Sequence, residues 1–317
     1  MKKFMFVPPF VAMIVAIVVF TNCSKESPTE PITSDAAYFT SVVTGNDATT
    51  TDLIVSDYQA LDESAQLLAL KIKITKELVS SGITPLHWGR VISSASRTIT
   101  KPAVTQADTI AIVSTKVTFS GNFIIQGLSG ADTVVIKKPF TESIDRNLKF
   151  LRVARTRFPR LNWALDAISV AAGGTDNAAI SITKVEVVAP NNTFTVTDPL
   201  NYYMQIDRWW MRHIPVLQNV SITLRVTVQS AQADTDLVTL HYAPGTFGLH
   251  NAPFTMTTET NNGGTFTRVY EKTWTVTGSV KKFAHLMISA TTKASLYNDD
   301  TSNFNSVVWG IPYKTSQ

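Results

Sequence analysis

The chain has 317 residues, one cysteine and a formal net charge of +4, with 44% hydrophobic and 16% charged residues. A single cysteine excludes an internal disulfide framework, so packed cores must hold the fold. Lys2 and Lys3 fall in a leader, which leaves 26 of the 28 basic residues against 24 acidic ones; that near-neutral balance lacks the electrostatic footprint of a nucleic-acid binder.

In chain order, the leader comes first. Lys2-Lys3 precede the apolar run Phe4–Phe20, Cys23 stands just beyond it, and the polar stretch Ser24–Pro31 follows. This is a positive n-region, an apolar h-region and a short exit to a cleavage point. Phe20-Thr21-Asn22-Cys23 resembles the lipobox of bacterial lipoproteins, with Phe20 where Leu is usual and Asn22 where a small residue is usual. The resemblance implies removal of residues 1–22 and a diacylglycerol on the sulfur of Cys23. Ser24-Lys25-Glu26 resembles the Lys-acidic export signal of Bacteroidetes-type lipoproteins, which implies the outer membrane and display on the cell surface. Each buried methylene adds ~0.8 kcal/mol of membrane affinity, so two or three acyl chains anchor firmly. Two alternatives compete: an uncleaved span, which is short and interrupted by Pro8-Pro9, and a conventional signal peptide.

Residues 23–33, with two prolines, read as a flexible tether. The segment 34–85 reads as a helical N-terminal region. Ser34 or Asp35 caps a short helix that ends at Gly45. Asp62 caps a second, running to Gly82, although Leu70–Ile74 also alternates with period two. From Trp88 onward period two dominates, in Thr, Val, Ile and Ser, a strand composition. Strands are expected at 94–100, 109–119, 122–126, 133–137, 148–154, 163–171, 180–188 and 194–196. Beyond Ile206 they follow at 220–228, 237–242, 254–259, 266–276, 283–291 and 306–313, with Asn261-Asn262-Gly263-Gly264 as a hairpin turn. The fold class is therefore mainly β: two tandem antiparallel sandwiches, over 86–205 and 206–317. The strand count of the second resembles an immunoglobulin-like sandwich, without the paired cysteines of antibody domains.

Sites for chemistry are few. His87, His213, His241, His250 and His285 show no zinc spacing. His241 and His250 flank the Gly/Pro loop 243–249 and could approach each other in space. No nucleophile elbow or phosphate-binding glycine pattern occurs. Calcium would use Asp234 and Asp236 in one loop or Asp299 and Asp300 in another; the alternative is turn chemistry in which Asx side chains bond their own backbone. Tyr203, Trp209 and Trp210 form an aromatic group that would stack on a glycan, pack against a protein partner, or cover a domain seam. Arg152, Arg155, Arg157 and Arg160 form a basic cluster, read either as a solvated hairpin end or as a contact for anionic lipid or glycan. Trp88-Gly89-Arg90 reads as a tryptophan beside a backbone bend. Together these point to a lipid-anchored, non-catalytic structural or binding module. The rival readings are a carbohydrate-binding accessory lipoprotein of a glycan-uptake system and a hydrolase whose acidic pair sequence spacing does not reveal.

Overall fold

Alternation of apolar and polar residues over long stretches builds this molecule, and the strands follow it. The computed structural model describes residues 34–44, 58–64, 67, 76–77, 84–190, 192–205, 214–217, 221–242, 250–275, 283–297 and 303–316. Helix α1 (Asp35–Thr44) is followed by a 3-10 turn over Tyr58–Leu61, then β1 (Lys76–Glu77), β2 (Thr84–Thr100), β3 (Ile110–Ser129) and β4 (Asp132–Arg152). A single helical turn α2 (Pro159–Asn162) leads to β5 (Trp163–Ser169), β6 (Ala171–Thr175), β7 (Ile180–Ala189), β8 (Asn192–Val196), β9 (Tyr203–Gln205) and β10 (Ile214–Leu217). Then come β11 (Ser221–Ser230), β12 (Leu237–Tyr242), β13 (His250–Pro253), β14 (Thr255–Asn262), β15 (Thr265–Thr275), β16 (Phe283–Thr291), α3 (Lys293–Tyr297) and β17 (Ser306–Ser316).

The strands form two sheets. The larger runs β13-β12-β16-β17-β6-β4-β3-β2, with β1, β5, β9 and β10 attached to it; the smaller runs β14-β15-β11-β7-β8. Pairing is antiparallel except that β1 joins β4 and β10 joins β17 in parallel. Both sheets cross the boundary expected at residues 205 and 206, because β7 pairs with β11 and β6 with β17. Each half of the chain thus satisfies strand edges of the other, which open edges would otherwise leave exposed.

Among the described residues, three apolar clusters fill the interior. The first lies between the sheets: Ile222, Leu224, Val226 and Val228 of β11 with Val185 and Val187 of β7 meet Leu286 and Ile288 of β16 and Trp309 and Ile311 of β17. The opposite face of β16 and β17, carrying Met287 and Val308, packs with Phe119, Phe123, Ile125 and Ile136 of the long β3–β4 hairpin and with Ala60 and Leu61. The third seats Phe39 and Val43 of α1 on Val113, Leu148, Phe150 and Trp163. β16 and β17 are therefore buried on both faces, which suits their near-continuous apolar sequence.

Several expectations change in detail. The strands expected at 109–119 and 122–126 belong to one strand, β3, which begins at Ile110 and whose buried side carries Ala111, Val113, Val117 and Phe119. Gly121 lets this strand run on, since a Cβ there would strike the Val91 carbonyl of β2. Of the helix expected over 62–82, Ser64 and Leu67 are helical, and Asp62 does accept the Ser64 N–H at 3.1 Å. Lys76–Glu77, however, pairs with Val134 and Val135 as a strand. Among the described residues no helix is long and apolar enough to cross a membrane.

Candidate functional site

A cavity of about 320 Å³ opens between β2, β12, β13 and the 58–64 segment. Its rim is apolar, with Leu86, Trp88 and Leu237, and its floor carries Glu63, Arg90, His241, Asn251 and Ser289. Consecutive residues of a regular strand face opposite sides, yet Leu86, His87 and Trp88 all line this space. A register shift between Pro85 and His87 explains it: Leu86 is the extra residue of a bulge, which re-aims the side chains around it.

Glu63 is fixed by the backbone before it meets any side chain. Its N–H donates to the Arg90 carbonyl at 2.8 Å, and the Arg90 N–H donates to its Oε2 at 2.9 Å. This close approach needs Gly89, where a Cβ would come within 2.6 Å of Glu63 Oε2. The other carboxylate oxygen accepts from Asn251 Nδ2 at 2.8 Å and lies 3.5 Å from His241 Nδ1. Burial pushes the Glu63 carboxyl up; Arg90 and the Asn251 hydrogen bond pull it down by less.

His241 is buried, and its Nε2 lies 2.7 Å from Ser289 Oγ. Burial, aided by the Arg90 charge, lowers its pKa to about 3, so the ring is neutral at ordinary pH. A neutral ring facing a carboxylate carries its proton on Nδ1 and accepts from the Ser289 hydroxyl at Nε2. Arg90 stands behind the floor. Its Nε donates to Glu142 Oε2 at 2.9 Å and its terminal nitrogen to Ser306 Oγ at 2.6 Å, with the guanidinium 5.1 Å from the centre of the Phe304 ring.

Hydroxyl, imidazole and carboxylate follow one another as in a nucleophile relay, but two features argue against that chemistry. Ser289 sits in mid-ladder, opposite Thr239 and Val308, so the neighbouring amides are committed to the sheet rather than aimed at an oxyanion. An imidazole depressed to about 3 is also a poor general base near neutrality. Glu63 is the one carboxylate lining the cavity among the described residues, since Glu142 points at Arg90. The converging acidic pair of a glycoside hydrolase is not assembled there.

The residues singled out from sequence fare unevenly. Cys23, Trp209, Trp210, Asp299 and Asp300 lie outside the described residues. Tyr203, on β9, is half-buried opposite Ser169 and away from the cavity lining. Asp236 is buried, accepting from Arg268 at 2.6 Å and from Ser230 at 3.2 Å, while exposed Asp234 pairs with Lys293 at 3.2 Å. These oxygens serve cations already in the chain, and the described residues contain no cluster of three acidic, His or Cys side chains able to hold a metal. The β12–β13 register sets His241 opposite Asn251 and His250 opposite Tyr242, and His241 and Asn251 both approach Glu63 Oε1. Glu63 itself was missed, since its segment reads as the first turn of a helix.

Comparison with protein-family models, with curated proteins and with solved structures finds no match in any of the three.

Proposed function

We propose that this chain is a lipid-anchored protein of the bacterial outer membrane that binds a small, uncharged, hydroxyl-rich ligand, a sugar or sugar-like molecule, in the cavity over Glu63. The observation that carries the reading is the pairing of a 36% exposed Trp88 at the rim with a buried polar floor. An aromatic face beside a few convergent polar groups suits a ring with one apolar and one hydroxylated side. Charge points the same way. Arg90 is neutralised by Glu142, and His241 is neutral. A cationic ligand would find both Glu63 oxygens already engaged, and an anionic one would meet a buried carboxylate. Cys23 and its leader support the anchor, as read from the lipobox-like sequence. The finer expectation of two immunoglobulin-like lobes is not needed for this role, because the cavity is built from both halves of the chain.

Titration calorimetry of the full chain against a panel of mono- and oligosaccharides tests the reading. A ligand should bind with affinity lost about tenfold or more in Trp88→Ala, whose ring contributes stacking. No saccharide binding, or binding indifferent to both Trp88→Ala and Asn251→Ala, would overturn it.

A further inference from the structure

The segment after β4 presents apolar side chains to solvent from a rigid frame. Val153, Phe158 and Leu161 are 51%, 47% and 51% exposed, and Ile110, paired with Leu151 at the same sheet end, is 48% exposed. Single exposed apolar residues are ordinary, but a group of them at one end of a sheet marks a contact surface. Fraying does not account for them. Asn162 accepts the Thr156 N–H at 2.7 Å and donates to the Thr156 carbonyl at 3.0 Å. Val153 N–H donates to the Asn162 carbonyl at 2.8 Å, Leu161 N–H to that of Phe158 at 2.9 Å, and Pro159 is buried.

Arg155, Arg157 and Arg160 stand exposed among these side chains. None of the three forms an ion pair among the described residues; Arg155 donates to the Gln106 carbonyl at 2.9 Å, and Arg157 lies 4.8 Å from the centre of the Phe158 ring. The nearby carboxylates are committed at the base of the segment. Asp35 is 3.7 Å from Arg152, and Asp108 accepts from the Thr105 hydroxyl at 2.9 Å.

The chain enters the body at this same end. α1 packs on the third cluster and touches α2; Tyr38 donates to the Trp163 carbonyl at 3.1 Å, and Phe39 lies 5.4 Å from the Trp163 ring. Eleven residues lie between Cys23 and Asp35, a reach of ~40 Å when fully extended. An anchored bilayer therefore lies within that distance of the start of α1, which packs at the arginine-rich apolar end.

We infer that residues 153–161 are a docking patch for an anionic, phosphate-bearing lipid surface. Val153, Phe158 and Leu161 enter the interfacial region, while Arg155, Arg157 and Arg160 meet lipid phosphates. Three arginines beside an anionic leaflet raise affinity about a hundredfold. The patch rests on the anchor reading only for what brings it to the bilayer; its role is to set the orientation of the body above the membrane.

The test uses the full chain on vesicles of neutral phosphatidylcholine and on vesicles that also contain phosphatidylglycerol, each with brominated acyl chains as quencher. A genetically encoded fluorescent amino acid replaces Leu161, and in a second chain Thr260, on the exposed strand β14. The label at 161 should be quenched on anionic vesicles, at least fivefold less on neutral ones, and little in the triple variant R155E/R157E/R160E; the label at 260 should stay bright. Circular dichroism confirms that the triple variant remains folded. A chain that floats with anionic but not neutral vesicles would remove the anchor and leave the patch standing. A label at 161 that stays bright on anionic vesicles, or whose quenching ignores the charge reversal, would overturn the patch whatever the anchor does.

Discussion

Glu63 Oε1 lies 3.5 Å from His241 Nδ1 with both side chains buried, one from a short turn near the start of the body and the other from β12. Such proximity suggests an ion pair, but burial holds the ring neutral down to about pH 3. The contact is a buried polar network that ties the 58–64 segment to the sheet and shapes the cavity floor. Such networks hold a site rigid when every member is satisfied.

Its pH dependence follows in sign. The His241 pKa falls from 6.5 to about 3 on folding, so between those values the unfolded chain binds the extra proton. Stability from this group is complete above the unfolded pKa and is lost as pH falls through the window, by at most ~1.4 kcal/mol per pH unit. Glu63 acts oppositely: its raised pKa removes stability as pH rises above 4.5 toward its folded value. Urea denaturation at pH 7, 6 and 5 should show that wild type loses more stability, or gains less, toward acid than His241→Gln does, since the Glu63 contribution is common to both and only the His241 contribution differs. Equal slopes would refute the assignment.

Arg90 and Glu142 form a second buried contact, both side chains at 2% exposure or less. Breaking one side of such a pair leaves an uncompensated charge and costs about 3–5 kcal/mol, whereas replacing both with apolar residues of similar volume is often near neutral. Glu142→Gln should therefore lower the urea midpoint sharply, and Arg90→Met with Glu142→Leu should recover much of the loss. A double variant as weak as the single one would show that the Ser306 and Phe304 contacts of Arg90, not its charge, dominate.

β7 and β11 are legible in the sequence because each alternates and buries one face against the other sheet, and β16 and β17 because their apolar runs, buried on both faces, lie between polar turns. Their partners are not: that β7 lies beside β11, and β6 beside β17, depends on edges meeting across the chain, which no local period records. The sequence reads as two strands, 109–119 and 122–126, on either side of Ser120-Gly121, whereas Gly121 serves the close approach of β2 within one strand. In the site, Trp88-Gly89-Arg90 did stand out, though only as a tryptophan beside a bend. Gly89 makes room for Glu63, a residue from a segment whose helical signals conceal it.

Asp236 gives a direct check on the calcium expectation. Arg268 occupies its carboxylate and also reaches Glu259 at 2.6 Å and the carbonyls of Gln232 and Ala233 at 2.9 and 2.8 Å. Asp236→Asn should cost about 1–3 kcal/mol, since buried Arg268 loses one charge-assisted partner and keeps Glu259 as its other. The loss in melting temperature should be the same in calcium and in chelator, because a bound ion would stabilise by mass action. A destabilisation that appears only with calcium present would restore the metal site.

Phe39 carries the docking of α1, with its ring 4.8 Å from Phe150 and 5.4 Å from Trp163 and no exposure to solvent. Truncating a buried phenylalanine costs about 3–5 kcal/mol. A ten-residue helix has little stability of its own, so the loss should appear first as release of α1 rather than as global unfolding. Limited proteolysis of Phe39→Ala should cut within 35–44 at least tenfold faster than wild type, while the sheets stay protected. Unchanged cleavage would mean that Tyr38, through its bond to the Trp163 carbonyl, holds the helix without the ring of Phe39.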